Sequence, residues 1–156
     1  MTLSPRIEVR SATMADAATL VELLAQMDER DEDPARDALL DVEGARQIMA
    51  RMAAYPDFRA FLVFSDGIAV GTFSLLVFCS LTHEGCKQAV LDAVVISRRF
   101  RGQGIGSVML EQACKIAGEA GCYKIALSSN LKRIDAHRFY ETYGFRQHGI
   151  SFALPL

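Results

Sequence analysis

The fold is decided by the stretch VVISRRFRGQGIGSVML, which runs from Val94 to Leu110. An apolar strand pattern ends here in arginines, three glycines follow at alternate positions, and a helical pattern begins behind them. Glycines let the backbone turn so that its N–H groups converge, and beside the positive end of a helix those groups bind anions. The arginines Arg98, Arg99 and Arg101 add the charge that suits a polyphosphate. We therefore interpret the stretch as a cradle for a pyrophosphate, against the simpler alternative of a plain turn between strand and helix.

The spacing Gly102-x-Gly104-x-x-Ser107 comes close to the GxGxxG/A fingerprint of dinucleotide-binding proteins. Two features count against that interpretation. The stretch comes late, after three predicted strands, and the next strand ends in Ser128-Ser129-Asn130, which offers no carboxylate to a ribose hydroxyl. A P-loop is not indicated either, because no Gly-Lys pair follows. A nicotinamide-dependent oxidoreductase is therefore the weaker hypothesis.

On either side of this stretch, the periodicity of apolar residues predicts the order β-α-α-β-β-β-α-β-α-β, with one or two last strands in residues 145–156. The predicted strands cover 7–10, 61–64, 68–78, 88–96 and 124–128, and the predicted helices cover 13–27, 41–53, 105–120 and 136–143. Asp66-Gly67 between two β-rich runs predicts an antiparallel hairpin. A helix between strands 88–96 and 124–128 is a crossover, which requires parallel pairing. We therefore expect a mixed sheet with helices on both faces.

The composition limits the function classes. The 156 residues are 51% apolar and 23% charged, with a net charge of −2, which excludes a disordered chain and argues against nucleic-acid binding. The longest apolar run, Ile68–Leu81, is too short and too polar to span a membrane, and the first ten residues do not resemble a secretory signal. Four cysteines and three histidines show no metal-ligand spacing, so we predict no metal. We expect one soluble, cytoplasmic domain over residues 1–156, with no nucleic-acid or membrane partner.

Two motifs make the chain resemble the GNAT superfamily of acetyl-CoA-dependent N-acetyltransferases. Arg101-Gly102-Gln103-Gly104-Ile105-Gly106 matches the acyl-CoA loop of that family, [RQ]-x-x-G-x-[GA]. AHRFYETYGF, Ala136–Phe145, is similar to its A-x-x-F-Y-E-x-x-G-F, about 35 residues further on. The resemblance covers about residues 88–146. It implies an α/β (α+β) fold with a central mixed, largely antiparallel sheet of six to seven strands and helices on both faces.

The resemblance also implies roles for individual residues. The backbone of Val94, Val95 and Ile96 would meet the pantetheine arm and the thioester carbonyl of acetyl-CoA, in the manner of a strand added to a splayed sheet. The pyrophosphate would be held by the N–H groups of Arg101, Gly102, Gln103, Gly104, Ile105 and Gly106. Tyr140 matches the usual general acid, which protonates the departing CoA thiolate. Where many relatives have Asn, this chain has Arg133, which either binds a CoA phosphate or is exposed to solvent.

Asp92 is the leading candidate for a general base, since the nucleophile is a neutral amine and a free alkylamine has a pKa of about 10.4. It interrupts an otherwise apolar strand, at a position where relatives often carry Glu or Asp. Burial there would raise the pKa of its carboxyl and let it act directly or through water. The simpler alternative is a carboxylate that only bonds a neighbouring backbone or arginine. His83, in the connection before that strand, is the second candidate base.

The acceptor is the least determined part of the prediction. Five acids in the segment Asp28–Asp33 favour a cationic acceptor, such as a polyamine, an aminoglycoside or a lysine side chain, over a plain solvated loop. We expect a small-molecule or peptide amine to attack acetyl-CoA directly in a ternary complex, since no cysteine lies where an acyl-enzyme would form. The alternative is a non-catalytic acyl-CoA-binding regulatory module. The apolar tail, Ile150–Leu156, would add strands across a homodimer.

Overall fold

The computed structural model describes residues 4–27 and 40–156, and the chain divides into two compact units. The first unit extends to Ala126, and the second runs from Leu127 to Leu156. The first contains β1 (Ile7–Ser11), α1 (Ala17–Leu24), α2 (Val42–Ala53), β2 (Phe58–Ser65), β3 (Ile68–Cys79), β4 (Lys87–Ile96), α3 (Ile105–Glu119) and β5 (Cys122–Ala126). The second contains α4 (Ile134–Tyr143). Short 3-10 turns precede α1, β4 and α3, at Met14–Asp16, Thr82–Gly85 and Arg98–Phe100.

Among the described residues, five strands form one sheet whose order follows the chain from β1 to β5. The pairs β1–β2, β2–β3 and β3–β4 are antiparallel, and β5 pairs with β4 in parallel. The hairpin predicted at Asp66-Gly67 and the parallel crossover through α3 are both confirmed. The prediction of a mixed, largely antiparallel sheet is therefore confirmed.

The predicted number of strands, six to seven, is wrong, because the sheet has five in the part of the chain that the structure describes. The tail after Phe145 forms no regular strand, although its apolar residues alternate as they would in one. Ile150, Phe152, Leu154 and Leu156 are all strongly exposed, Ile150 the least at 80%. Strands are stabilised by side-chain pairs with a neighbouring strand, so an alternating pattern without such a neighbour does not form one.

α1 and α2 cover one face of the sheet, and α3 covers the other. Leu62 of β2 is fully buried and packs with Leu20 and Leu23, which lie on one side of α1. Successive side chains on a strand point to opposite faces, so Phe61 lies on the face of α3. There it stacks on Phe73 of β3, with ring centroids 4.9 Å apart. The continuous apolar run in β2 therefore serves both layers of the core.

The pairing of β4 differs on its two sides. β3 accompanies it to its last residue, Ile96. β5 accompanies it only from Lys87, opposite Cys122, to Val90, opposite Ala126. The second half of β4 therefore has an edge that β5 leaves unpaired.

The start of α1 is held by an ion pair between Arg10 and Asp16. Arg10 donates from Nη1 to Oδ2 at 2.8 Å and from Nη2 to Oδ1 at 2.9 Å. The same carboxylate accepts the backbone N–H of Thr13 at 2.7 Å. The Arg10 guanidinium, through its hydrogen bonds, holds the pKa of the Asp16 carboxyl well below its usual range. This arrangement ties the end of β1 to the first turn of the helical segment.

The connection between β3 and β4 contains backbone strain. His83, Glu84 and Gly85 have φ of 52°, 57° and 78°, so three successive residues are left-handed. That conformation costs about 1–2 kcal/mol for a residue other than glycine. Cys79 and Cys86, which flank the connection, are both exposed.

We expect Asp16→Asn to lower the free energy of unfolding by about 1–2 kcal/mol at pH 7, because the amide is neutral and keeps only one acceptor oxygen in place of the carboxylate's two. The native pKa is depressed, so this contribution is present above the pKa of an unfolded aspartate, about 3.9, and is lost as the pH falls below it. Urea unfolding of both proteins from pH 7 to pH 2 measures the difference. Glu22→Gln, an exposed acid on α1, is the control. A difference that stays constant down to pH 2 would contradict the assignment.

Candidate functional site

The segment that contains Gly102 and Gly104, which we call the glycine loop, joins the end of β4 to the start of α3. Gly102 and Gly104 have φ of 74° and 79°, in the left-handed region that only glycine enters without strain. Gly104 precedes the first residue of α3, and its C=O accepts the first helical hydrogen bond, from the N–H of Val108 at 3.5 Å. The N–H groups before that bond have no partner inside the helix, namely those of Ile105, Gly106 and Ser107. Within the described residues no side chain caps them, so the loop presents donors at the positive end of a 15-residue helix.

Space lies open over the loop. In the part of the chain that the structure describes, a Cβ placed at Gly102 or at Gly104 would meet nothing within 4 Å. The positive φ, and not a clash, is therefore what requires glycine at these two positions. A ligand can approach the backbone of the loop closely, because no side chain stands on either glycine.

The three arginines before the loop differ in their surroundings. Arg101 turns back, and its Nε donates to the C=O of Ile96 at 3.0 Å while Nη2 donates to the C=O of Gln26 at 3.2 Å. The backbone N–H of Arg98 donates to Oε1 of Gln26 at 2.9 Å. Arg98 and Arg99 are exposed. Arg101 therefore differs from the other two in that its guanidinium donates to two carbonyl oxygens.

Gln26 contacts the residues before the glycine loop, and sequence reasoning missed it. It follows α1 and contacts residues more than 70 positions away in the chain, with a separation of 72 to Arg98. In the sequence it is one polar residue behind an apolar stripe, and no motif marks it. Only the packing of α1 beside the end of β4 reveals its contacts.

The last residues of β4 present their amide groups in alternation. The N–H of Ser97 donates to the C=O of Val70 at 2.7 Å, and this register turns the amide groups of Ile96 away from β3. The amide groups of Val94 turn the same way, and those of Val95 face β3. Two of the three predicted residues therefore present amide groups to the edge that β5 leaves unpaired.

A β-bulge separates Asp92 from these residues. Ala93 has φ of 49°, and the register with β3 shifts around it, so that Thr72 opposes Val95 while Ser74 opposes Asp92. Asp92 is exposed, on the face of the sheet that carries α1 and α2. The prediction that this carboxylate is buried is wrong. An apolar strand pattern indicates burial of the strand, but the two helices leave this part of its face uncovered.

His83 does not come near the glycine loop. It lies before β4, whose 10 residues span about 30 Å, and the loop lies behind β4. Its ring contacts that of Tyr123 at the start of β5, with centroids 5.1 Å apart. The second candidate base therefore stands at the opposite end of the strand from the loop.

The second unit presents Tyr140 on α4. The side chain is buried, and its ring packs against Phe139 and Phe145 with centroid distances of 5.3 and 5.7 Å. Its C=O accepts the N–H groups of Gly144 and Phe145, at 3.2 and 3.0 Å, and this ends the helix at the glycine predicted to close it. Arg133 directly precedes α4 and is partly buried.

The cysteines form no disulfide. Cys79 and Cys86 are exposed, and Cys114 and Cys122 are half-buried. Burial raises the pKa of the Cys122 thiol, which keeps that thiol protonated and weakly reactive. In residues 4–27 and 40–156, no group of three or more His, Cys, Asp or Glu side chains is placed to hold a metal ion.

The chain is similar to known acetyltransferases. The model of the acetyltransferase (GNAT) family matches residues 21–145. The chain is 30% identical over 150 residues to the glucosamine 6-phosphate N-acetyltransferase of Trypanosoma brucei brucei, with 96% of each chain covered. It is 32% identical over 152 residues to the aminoalkylphosphonate N-acetyltransferase of Salmonella typhimurium, with 97% of this chain and 93% of that one covered.

The fold has solved counterparts. The crystal structure of glucosamine-6-phosphate N-acetyltransferase from Arabidopsis thaliana matches with a TM-score of 0.78, over 96% of this chain and 98% of that one. The identity between the two is 20%, so this likeness shows the fold alone. The family match includes both the glycine loop and the segment Ala136–Phe145.

Proposed function

The chain belongs to the GNAT family of acetyltransferases, and on that premise we propose that residues 1–156 act as one domain that binds acetyl-CoA through the glycine loop. It is an enzyme that transfers an acetyl group to an amine. The observation that carries the proposal is the start of α3, where no side chain of the described residues caps the helix and which a short connection joins to the strand edge that β5 leaves unpaired. A non-catalytic acyl-CoA-binding module is disfavoured, since the relatives that match almost the whole chain are N-acetyltransferases.

The residues present fit acetyl-CoA. The backbone N–H groups of Arg101–Gly106 would hold the pyrophosphate, whose charge suits the positive end of α3. Val94 would offer both amide groups to the pantetheine arm, and Ile96 would offer its N–H, since its C=O accepts from Arg101. Pantetheine carries amides, which pair with a strand edge as another strand does. Arg133 would meet a CoA phosphate.

Two side chains would move protons. When bound, acetyl-CoA supplies an acetyl thioester, which a neutral amine attacks. Asp92, exposed on the face of α1 and α2, would receive the proton of the acceptor ammonium through water. Tyr140 would give its Oη proton to the departing sulfur. An N–H group at the open edge of β4 would stabilise charge on the thioester oxygen.

The loop assignment is tested by thermal unfolding with CoA, acetyl-CoA, NAD and NADP in parallel. A ligand that binds only the native state raises the melting temperature, so we expect both CoA species to stabilise and both dinucleotides to have no effect. Gly104→Ala should weaken the CoA shift, because a left-handed alanine costs about 1–2 kcal/mol. Gly118→Ala lies on an exposed turn of α3, where no described residue comes within 4 Å of the added Cβ, and it should preserve the shift. Stabilisation by dinucleotides alone, or equal effects of the two substitutions, would refute the assignment.

Tyr140→Phe removes only the hydroxyl group. We expect kcat to fall by about 10²–10⁴, because general acid catalysis contributes that much, while the KM for acetyl-CoA changes by less than about threefold. Steady-state release of free CoA thiol measures both constants. Tyr143→Phe, on the same helix, should leave kcat unchanged. If Tyr140→Phe changed KM as much as kcat, its role would be structural.

We propose that the acceptor is a small primary amine that carries a phosphate or phosphonate group. The two relatives that match almost the whole chain are named for acceptors of that kind, glucosamine 6-phosphate and aminoalkylphosphonate. α2 packs on the same face of the sheet as Asp92 but leaves Asp92 exposed, and it carries two exposed arginines, Arg46 and Arg51. A guanidinium binds two phosphate oxygens at once. The acidic segment Asp28–Asp33, which predicted a cationic acceptor, lies outside the described residues.

The acceptor proposal is tested with matched pairs of amines. Glucosamine 6-phosphate is compared with glucosamine, and 2-aminoethylphosphonate with ethylamine; spermidine and kanamycin represent cationic acceptors. We expect kcat/KM to be at least about tenfold higher for the phosphorus-bearing member of a pair, which corresponds to one charged hydrogen bond. Arg46→Ala with Arg51→Ala should remove that advantage and leave glucosamine turnover unchanged. Faster turnover of spermidine or kanamycin would favour the cationic acceptor instead.

We propose that the protein is a homodimer in which the tail adds to the partner. Four apolar side chains alternate along the tail from Ile150 to Leu156 and are almost fully exposed. A contiguous apolar surface of this kind is usually an interaction site, and a free sheet edge accepts an added strand. Light scattering coupled to gel filtration measures the mass. A monomer, or a dimer that survives Phe152→Ser with Leu154→Ser, would overturn the proposal.

We also propose a cytoplasmic location. Among the described residues, no helix is both long enough and apolar enough to cross a membrane. The four cysteines, all of which the structure describes, form no disulfide, as is usual for proteins in a reducing compartment. Fractionation of cells that express the tagged protein measures the location, and recovery with membranes or outside the cytoplasm would contradict it.

A further inference from the structure

Two hydrogen bonds join the residue Gln26, behind α1, to the residues before the glycine loop, and a third joins Arg101 to the end of β4. The C=O of Gln26 accepts Nη2 of Arg101 at 3.2 Å, and Oε1 of Gln26 accepts the N–H of Arg98 at 2.9 Å. Nε of Arg101 donates to the C=O of Ile96 at 3.0 Å. We refer to Gln26, Ile96, Arg98 and Arg101 with these bonds as the Gln26 latch. The latch connects one helix, one strand end and the loop.

The electrostatics favour the inward position of the Arg101 guanidinium. Hydrogen bonds from a charged donor are about twice as strong as neutral ones, and this cation makes two of them to carbonyl oxygens. Gln26 also follows the C-terminal end of α1, where the helix dipole is negative and attracts a cation. Turning Arg101 toward a phosphate would break both bonds and leave two carbonyl groups without this donor.

We propose that Arg101 is a positioning residue, whose guanidinium holds the glycine loop through the Gln26 latch instead of binding the pyrophosphate. The inference rests on the proposed function, because the loop it positions is the proposed acetyl-CoA site. The latch fixes the positions of Gly102 and Gly104 relative to α1. It also keeps the C=O of Ile96 hydrogen-bonded to Arg101. The donors for the pyrophosphate are then backbone N–H groups at the start of α3, with Arg99 exposed beside them.

Arg101→Lys separates the two roles. Lysine keeps the charge but is a point donor without the planar fork that reaches two carbonyl groups. If Arg101 acts through the latch, Lys and Gln at this position both raise the Kd for CoA by about tenfold, the loss of one charged hydrogen bond. If its side chain binds phosphate, Lys retains the wild-type Kd and only Gln loses affinity. Calorimetric titration with CoA measures the Kd, and Arg6→Lys, far from the loop in the chain and exposed, is the matched control.

Gln26→Ala tests the latch without touching an arginine. It removes the bond from Arg98 and leaves both Arg101 bonds in place, so we expect the Kd for CoA to rise severalfold. Combined with Arg101→Gln, it should add little, because residues of one hydrogen-bond network are not additive. Gln26→Glu keeps the acceptor oxygen and should restore the Kd. Gln47→Ala, an exposed glutamine on α2, is the control.

Two further readouts distinguish positioning from a general loss of structure. The latch variants should raise the KM for acetyl-CoA and leave kcat of the folded fraction within about twofold, whereas partial unfolding lowers kcat and keeps KM. Hydrogen exchange of the Arg98 amide should accelerate in Gln26→Ala without any ligand present. An unchanged Kd in Arg101→Lys or in Gln26→Ala overturns the inference while the wild type still binds CoA. A wild type that does not bind CoA overturns the proposed function, and this inference with it.

Discussion

The unequal pairing of β4 is the constraint from which the candidate site follows. β3 accompanies β4 to its last residue, but β5 stops opposite Val90. β5 is parallel to β4, so the chain must leave β4 at its C-terminal end and return through a crossover helix. The start of α3 and the open edge of β4 therefore lie at the same end of the strand. Among the described residues, backbone donors that no strand or helix pairs occur there in two forms, along a strand edge and at a helix start.

Two arginines hold α1 at its two ends. Arg10 binds Asp16 in the turn before the helix, and Arg101 binds the C=O of Gln26 behind it. Arg10 belongs to β1 and Arg101 to the connection between β4 and α3, so α1 is bonded to both. The helix adds apolar contacts through Leu20 and Leu23 to Leu62. Polar bonds at its two ends and apolar packing in its middle therefore fix the position of α1. The bond from Arg101 links that position to the loop.

The sequence predicts those parts of the fold that depend on contacts between near neighbours in the chain. The hairpin at Asp66-Gly67 needs a turn that its own residues favour, and the crossover through α3 needs a strand, a loop and a helix in succession. The prediction was wrong for the tail, because alternating residues form a strand only beside another strand. It was also wrong for the burial of Asp92, since burial depends on where α1 and α2 end over the sheet. The contacts of Gln26 could not be predicted, because its partners are distant in the sequence. The roles of Asp92 and Tyr140 stay predictions.

The strained connection between β3 and β4 has a practical consequence. It places the thiols of Cys79 and Cys86 in solvent at the end of β4 that is remote from the glycine loop. Cys114 and Cys122 are half-buried, and the Cys122 thiol is kept protonated. A thiol-reactive linker at neutral pH therefore attaches the enzyme to a bead or an electrode by this end. Molecules immobilised in that way present the glycine loop to the solution.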